Sequence, residues 1–264
     1  SSAAAGGDGA SWSTAYNDLQ DALADVQTGD SIWVAKGTYF PDGGTGDAYL
    51  SFDITVRCYL LGGFEGVETD ASQRDWETNR TIVSGDLDDD DEWVEDSLVN
   101  IEDNSRWVVD IASMNDGPTV DGFEVAGATK AGVHIRSAGS DLVPVELRNC
   151  TVRDNFVSSN PFDSDAGGIY MECVPKVRVK NTLFLNNHGG SGITAFRGSQ
   201  TGEMVLKLDS CRFSGNVSQG YGGAIEWRSY GRLTIVGSSF ISNRAFEGGG
   251  VSVRMYGDPS YIHV

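Results

Sequence analysis

Apolar and polar residues alternate over short stretches of this chain, and four stretches superpose without gaps. They are VELRNCTVRDN (Val145–Asn155), VRVKNTLFLNN (Val177–Asn187), LKLDSCRFSGN (Leu206–Asn216) and LTIVGSSFISN (Leu233–Asn243). Their closing asparagines lie 32, 29 and 27 residues apart, and a fainter copy, TVDGFEVAGA (Thr119–Ala128), precedes them. In VELRN and VRVKN every second residue is apolar, the two-residue period of a strand with one buried face. No ten-residue stretch of these repeats keeps a helical spacing. Each copy is followed by a glycine-led strand start: AGVHI, GGIYM, SGITA, GGAIE and GGGVSV.

Repeats of this length predict a solenoid. Each unit reads strand, sharp turn, strand, loop, strand. Like strands of successive units would stack in parallel, roughly 4.8 Å apart. The expected fold is all-β, a right-handed parallel β-helix over residues 31–264 with its clear repeats in 119–264. Within it, Phe184, Phe213 and Phe240 should stack in the core. The closing asparagines should form a hydrogen-bonded ladder at a corner. The glycine pairs serve either to avoid crowding the next coil or to allow a positive φ.

Residues 1–30 differ. In SWSTAYNDLQDALADV, Ala15, Leu19, Ala22, Leu23 and Val26 share one helical face, with Ser13 as the expected N-cap. Such a helix would cap the first coil and shield its strand edges. YIHV ends the sequence inside a strand-like stretch, so the chain reads as a piece of a longer protein. Further coils of the same chain, or end-to-end pairing, are expected at that edge.

Composition narrows the partners. With 38 acidic and 19 basic residues the formal charge is −19, which opposes nucleic acid and anionic membrane surfaces. No run of 18 apolar residues is present to insert into a membrane. Cys58, Cys150, Cys173 and Cys211 form no C-x-x-C pair. Cys150 and Cys211 share a repeat position two coils apart, about 10 Å by stacking and beyond the roughly 7 Å reach of a disulfide. They are expected to be free and buried, while a bridge involving Cys58 or Cys173 stays open.

GGAI at 222–225, FSGN at 213–216 and FISN at 240–243 resemble the GGAI and FxxN repeats of polymorphic outer-membrane proteins. They are equally similar to right-handed β-helix domains of the pectin-lyase-like superfamily in bacterial secreted and surface proteins. The front of the chain, GDGASWSTAYNDLQDALADVQTGDSIWVAKGTYFP and LLGGFEGVETDASQRDWETNRTIVSGDL, is similar to the opening of large secreted β-helix proteins of environmental bacteria. The resemblance covers nearly the whole chain. It implies an extracellular or cell-surface location and a role as adhesin or structural scaffold, with a surface glycan or protein as partner. The alternative it implies is a polysaccharide lyase or glycoside hydrolase acting on an acidic glycan. The vWiDH and RxPxxR patterns of β-helix lyases are absent, and His188 in NNHGGSG stands on the wrong side of the glycines for a hydrolase.

Four groups of residues remain as candidates for chemistry. The outward positions of the first strand form a basic ladder (Arg148, Arg178, Lys180, Lys207) in a strongly acidic protein. It reads either as an acidic-glycan site or as cross-coil ion pairs, Glu146 with Arg178 and Lys180 with Asp209. The third strands carry Tyr170, Phe196, Trp227 and Tyr256, a sugar-stacking platform if outward, with Trp227 expected in the core because Glu226 inward would bury a charge. Asp86, Asp88 and Asp90 in GDLDDDDEWVED have the alternate spacing that offers oxygens to Ca2+, or form a solvated acidic loop. Asp163 and Asp165 are a possible acid and base pair, or loop residues.

Overall fold

The computed structural model describes residues 7–95, 97–112, 117–136, 143–157, 166–172, 176–196, 203–254 and 261–263. Asp163, Asp165, Cys173 and Tyr256 lie outside them. Three parallel sheets run the length of the molecule. The first holds Ser31–Ala35, Tyr59–Phe64, Thr119–Asp121, Val145–Arg148, Lys176–Lys180, Met204–Asp209, Gly231–Val236 and Tyr261–His263. The second holds Gly37–Tyr39, Thr81–Ser84, Phe123–Ala126, Thr151–Arg153, Leu183–Leu185, Arg212–Ser214 and Ser239–Ile241. The third runs from Phe52–Ile54 through Trp107–Ile111, Ala131–Arg136, Ile169–Glu172, Ile193–Phe196 and Ile225–Arg228 to Val251–Val253. The chain visits them in rotation, one strand of each per coil, which makes a right-handed parallel β-helix.

The register is the one that the repeats predict: Glu146 opposes Arg178, and Arg178 opposes Lys207. The turn from first to second strand needs a left-handed residue, supplied by Asn149, Asn181, Ser210 and Gly237 in successive coils (φ 53°, 46°, 57° and 58°). Asparagine and glycine tolerate that conformation best.

Inside, the phenylalanine rings stack: Phe184 on Phe213 at 4.5 Å and Phe213 on Phe240 at 5.1 Å, with interplanar angles of 3° and 4°. At the corner the Nδ2 of Asn155 donates to Asn187 Oδ1 (2.9 Å), Asn187 to Asn216 (2.8 Å) and Asn216 to Asn243 (2.8 Å). Each amide also bonds main-chain groups, Asn187 Nδ2 to Val152 O and Asn216 Nδ2 to Phe184 O among them. The buried amides are therefore satisfied, the condition for keeping polar groups in a core. Crowding is the reason for glycine at Gly168: a Cβ there would meet the carbonyl oxygen of Gly192 at 2.1 Å.

At the front end a helix, Leu19–Asp25, sets Leu19, Ala22 and Leu23 into the same core as Val34, Phe52 and Ile54. Its N-cap is Asp18, whose carboxylate accepts from Gln20 N (2.9 Å), not Ser13. Ser13 sits in a separate 3-10 turn, Trp12–Thr14, and Ala15 is extended, so the helical period cannot begin there. Cys58, Cys150 and Cys211 are free and buried, as expected for the latter two.

Candidate functional site

The outer face of the first sheet carries two columns. Tyr59, Thr119, Glu146, Arg178, Lys207 and Thr234 lie in register, and beside them run Leu61, Asp121, Arg148, Lys180, Asp209 and Val236. Only part of the expected pairing forms. Arg178 Nη1 bonds Glu146 Oε1 at 3.2 Å. Lys180 and Asp209 oppose each other in register but make no ion pair, and Asp209 accepts from the Ser210 hydroxyl instead (2.9 Å).

Arg148 turns away from Lys180 and towards the preceding coil, where its Nε reaches Asp121 Oδ2 at 2.8 Å. Arg74 bonds the same oxygen, and Asn149 Nδ2 bonds Asp121 Oδ1 at 2.8 Å. Asp121 is almost fully buried by these donors. One carboxylate is thus shared by two guanidinium groups, leaving a surplus positive charge at this point.

At the base of both columns the chain builds a cleft of about 470 Å3, lined by Ser31, Tyr59, Leu61, Ala71, Ser72, Arg74, Trp76 and Arg148. Its wall is the excursion 65–80 between the first and second sheets. Local capping holds this excursion: Asp70 and Gln73 close a capping box on the 3-10 turn Ala71–Gln73. Glu68 accepts from the backbone of Glu65, Gly66 and Val67. Burial pushes the Glu68 carboxyl up, but these backbone donors more than offset it, so it lies below the usual range.

Trp76 seats directly on the sheet because Gly63, at φ 93°, lacks a side chain; a Cβ there would stand 2.8 Å from the Trp76 backbone. The Arg74 guanidinium lies over the Trp76 ring at 5.2 Å, a cation–π contact. Arg148 is the one basic-ladder residue that lines the cleft. Arg74 and Trp76 have no signal in the repeat pattern, since the wall belongs to no repeat, and the strand of Tyr59 precedes the aligned repeats.

The third sheet's outer face is built differently. Asp53, Asp110, His134, Tyr170, Thr194, Glu226 and Ser252 form one outward column. Its middle five members are nonetheless buried. His134 stacks between Trp107 (4.3 Å, 21°) and Tyr170 (5.6 Å, 17°). Its Nδ1 lies 3.2 Å from Asp110 Oδ1, and its Nε2 is 3.8 Å from Glu172 Oε2. Arg136 grips Asp110 through Nε (2.9 and 3.1 Å) and Nη2 (2.7 Å). Burial pushes the Asp110 carboxyl up, and His134 and Arg136 more than offset this, so it lies below the usual range. Glu226 is paired with Arg228 at 2.9 Å. There burial prevails over Arg228 and raises the carboxyl.

Of the third-strand aromatics, Trp227 is wholly in the core, so it belongs to no outer platform. Tyr170 and Phe196 face outward, but Tyr170 is nearly covered within its stack and Phe196 lies under Arg228 (5.6 Å). Asp110 in WVVDI and His134 in AGVHI lie on different strands, and alternation alone does not mark the pair. His188, in turn, packs edge-on against Trp93 at 4.8 Å.

The acidic run folds into a tight turn. Asp86 accepts from the backbone N–H of Asp90 (3.1 Å) and of Asp91 (3.2 Å). This draws Asp86, Asp90 and Asp91 together, one oxygen of each within 4.8 Å of the others. Asp88 is not among them: the turn brings back the fourth and fifth residues after Asp86, not alternate ones. Burial, together with Asp86 and Asp103 and against the hydrogen bond from Asn104, pushes the Asp91 carboxyl up to about 7.

A family model described as a right handed beta helix region matches residues 99–263. No curated protein and no solved structure matches the chain.

Proposed function

The chain belongs to the right-handed β-helix family, and we propose that it is a non-enzymatic, glycan-binding segment of a secreted or cell-surface protein. Its ligand is an acidic polysaccharide seated in the cleft of the first outer face. One observation carries this reading: two aromatic residues, Tyr59 and Trp76, line one cleft with two guanidinium groups, Arg74 and Arg148, that share a single buried carboxylate. Aromatic rings offer flat apolar area to a sugar ring, and guanidinium groups match a carboxylate in planar geometry. Surplus positive charge in a protein of charge −19 favours an anionic ligand there over the rest of the surface.

The basic ladder extends the same track. Lys180 and Lys207 follow Arg148 along the helix axis, at roughly 4.8 Å per coil, and neither forms an ion pair among the described residues. A polymer lying along the axis passes from the cleft over both. Binding is favoured over cleavage because the carboxylate at this point, Asp121, is 1% exposed and tied to Arg74, Arg148 and Asn149, a poor position from which to take a substrate proton.

The test is a titration of uronic-acid oligomers and of a neutral glucan of equal length, followed by Trp fluorescence, with absorbance for unsaturated uronates recorded in parallel. Saturable binding of the uronate alone, weakened about tenfold or more by Trp76→Ala, with flat absorbance, is expected. Equal binding of the neutral glucan, or no binding, would remove the reading. Steady release of unsaturated product would replace it with a lyase.

A further inference from the structure

We propose that Asp86, Asp90 and Asp91, together with the side-chain amide of Asn104, form a Ca2+ site that pins the excursion 85–104 to the end of the second sheet. Three carboxylates meet there, and none of them forms an ion pair with a described lysine or arginine. Like charges held this close repel, and burial strengthens the repulsion. A divalent cation is the group that turns that arrangement from a cost into an attraction.

A second observation is independent of the acidic cluster. Asn104 is only 2% exposed, and its Nδ2 donates to Asp91 Oδ2 at 2.9 Å. The Oδ1 of that same amide is buried without a hydrogen-bond partner, and so is Asp91 Oδ1. An unpartnered buried oxygen is costly and needs a reason. The two ends of an asparagine amide have the same shape, so rotating it by half a turn presents the oxygen to a cation bound by Asp91. The cation then serves both orphaned acceptors and replaces the Asn104 donor on Asp91, while the amide NH2 takes the place that the oxygen had.

The donor set selects the metal. Carboxylate and amide oxygens without sulfur or imidazole suit a hard cation. The exposed Asp90 carboxylate can bind through one oxygen or two, which suits Ca2+ over Mg2+ with its demand for a near-ideal octahedron. The backbone supports the arrangement: the Asp90 and Asp91 amides hold Asp86 in place, and Asp103 accepts from the Asp88 amide (2.9 Å). Trp93, two residues beyond Asp91, supplies an optical reporter.

The experiment uses the whole chain, stripped with chelator and titrated with CaCl2 by calorimetry at fixed ionic strength, with MgCl2 as the control cation. Tb3+ luminescence sensitised through Trp93 follows the same site. One saturable Ca2+ site is expected, half-filled between about 10 μM and 1 mM, with Tm raised by ~3 °C or more at saturation. Asp90→Asn, at an exposed position, should fold normally and weaken Ca2+ at least tenfold, and Asn104→Ala should weaken it too. Binding that is unsaturable, equal for Mg2+, or unchanged in Asp90→Asn would mean diffuse attraction to an acidic surface and would overturn the proposal.

Discussion

The first and third sheets of this solenoid share one coil spacing and one strict in-and-out alternation, yet their outer faces are unlike. On the first, Arg178, Lys180 and Lys207 stand in solvent and pair loosely or not at all. On the third, Asp110, His134 and Glu226 point outward by register yet are buried by stacked aromatics and paired arginines. In a β-helix, outward therefore does not mean exposed. An outward charge that is covered must be paired, whereas an exposed one stays available to a ligand.

The largest expected effect lies on the covered face. Asp110→Ala strips the acceptor from the half-exposed Arg136 and leaves His134 beside a void, and should cost about 2 kcal/mol of stability in urea unfolding. A loss below about 1 kcal/mol would mean that the third face is not held together by this cluster.

The pH dependence comes next, and the two acids of that face act in opposite directions. The folded-state value of Asp110 is depressed, so its stabilisation is present above the unfolded value near 3.9 and is lost as pH falls through the folded one. That of Glu226 is raised, so stability is full below its unfolded value near 4.3 and declines as pH rises through the folded one. In urea titrations between pH 3 and 7, Asp110→Asn should flatten the acid limb and Glu226→Gln the approach to neutrality. Parallel curves for both variants and the parent would contradict these assignments.

The smallest effect belongs to the open face. Arg178→Ala removes an exposed pair and should change stability by under ~1 kcal/mol. A larger loss would make the first face resemble the third.

Much of this could be read from the repeats. The alternation in VRVKN, the phenylalanine of each FxxN step and the closing asparagines determine which side chains enter the core, because every coil solves the same packing problem. The cost of an inward Glu226 puts Trp227 inside, and its burial agrees, although Glu226 is covered on the outer side as well. What escaped was whatever depends on non-repeating chain. The helix begins at Leu19, and not near Ser13, because the carboxylate of its N-cap Asp18 captures Gln20 N. Asp91 joins Asp86 and Asp90 in place of Asp88 because backbone bonds to Asp86 curl the turn. Tyr59, Arg74 and Trp76 meet only because the 65–80 excursion folds back onto glycine. Alternation reports the parity of a side chain and says nothing of what lies above it.

The most direct test of the central claim is a side-by-side affinity measurement for one short uronate oligomer with the parent chain, Arg148→Ala and Arg178→Ala. Asp121 keeps Arg74 and Asn149 in the first variant, so both should fold. The account predicts that Arg148→Ala loses about tenfold in affinity while Arg178→Ala stays within about twofold. Equal losses, or a larger one for Arg178→Ala, would place binding on the open ladder and contradict the cleft.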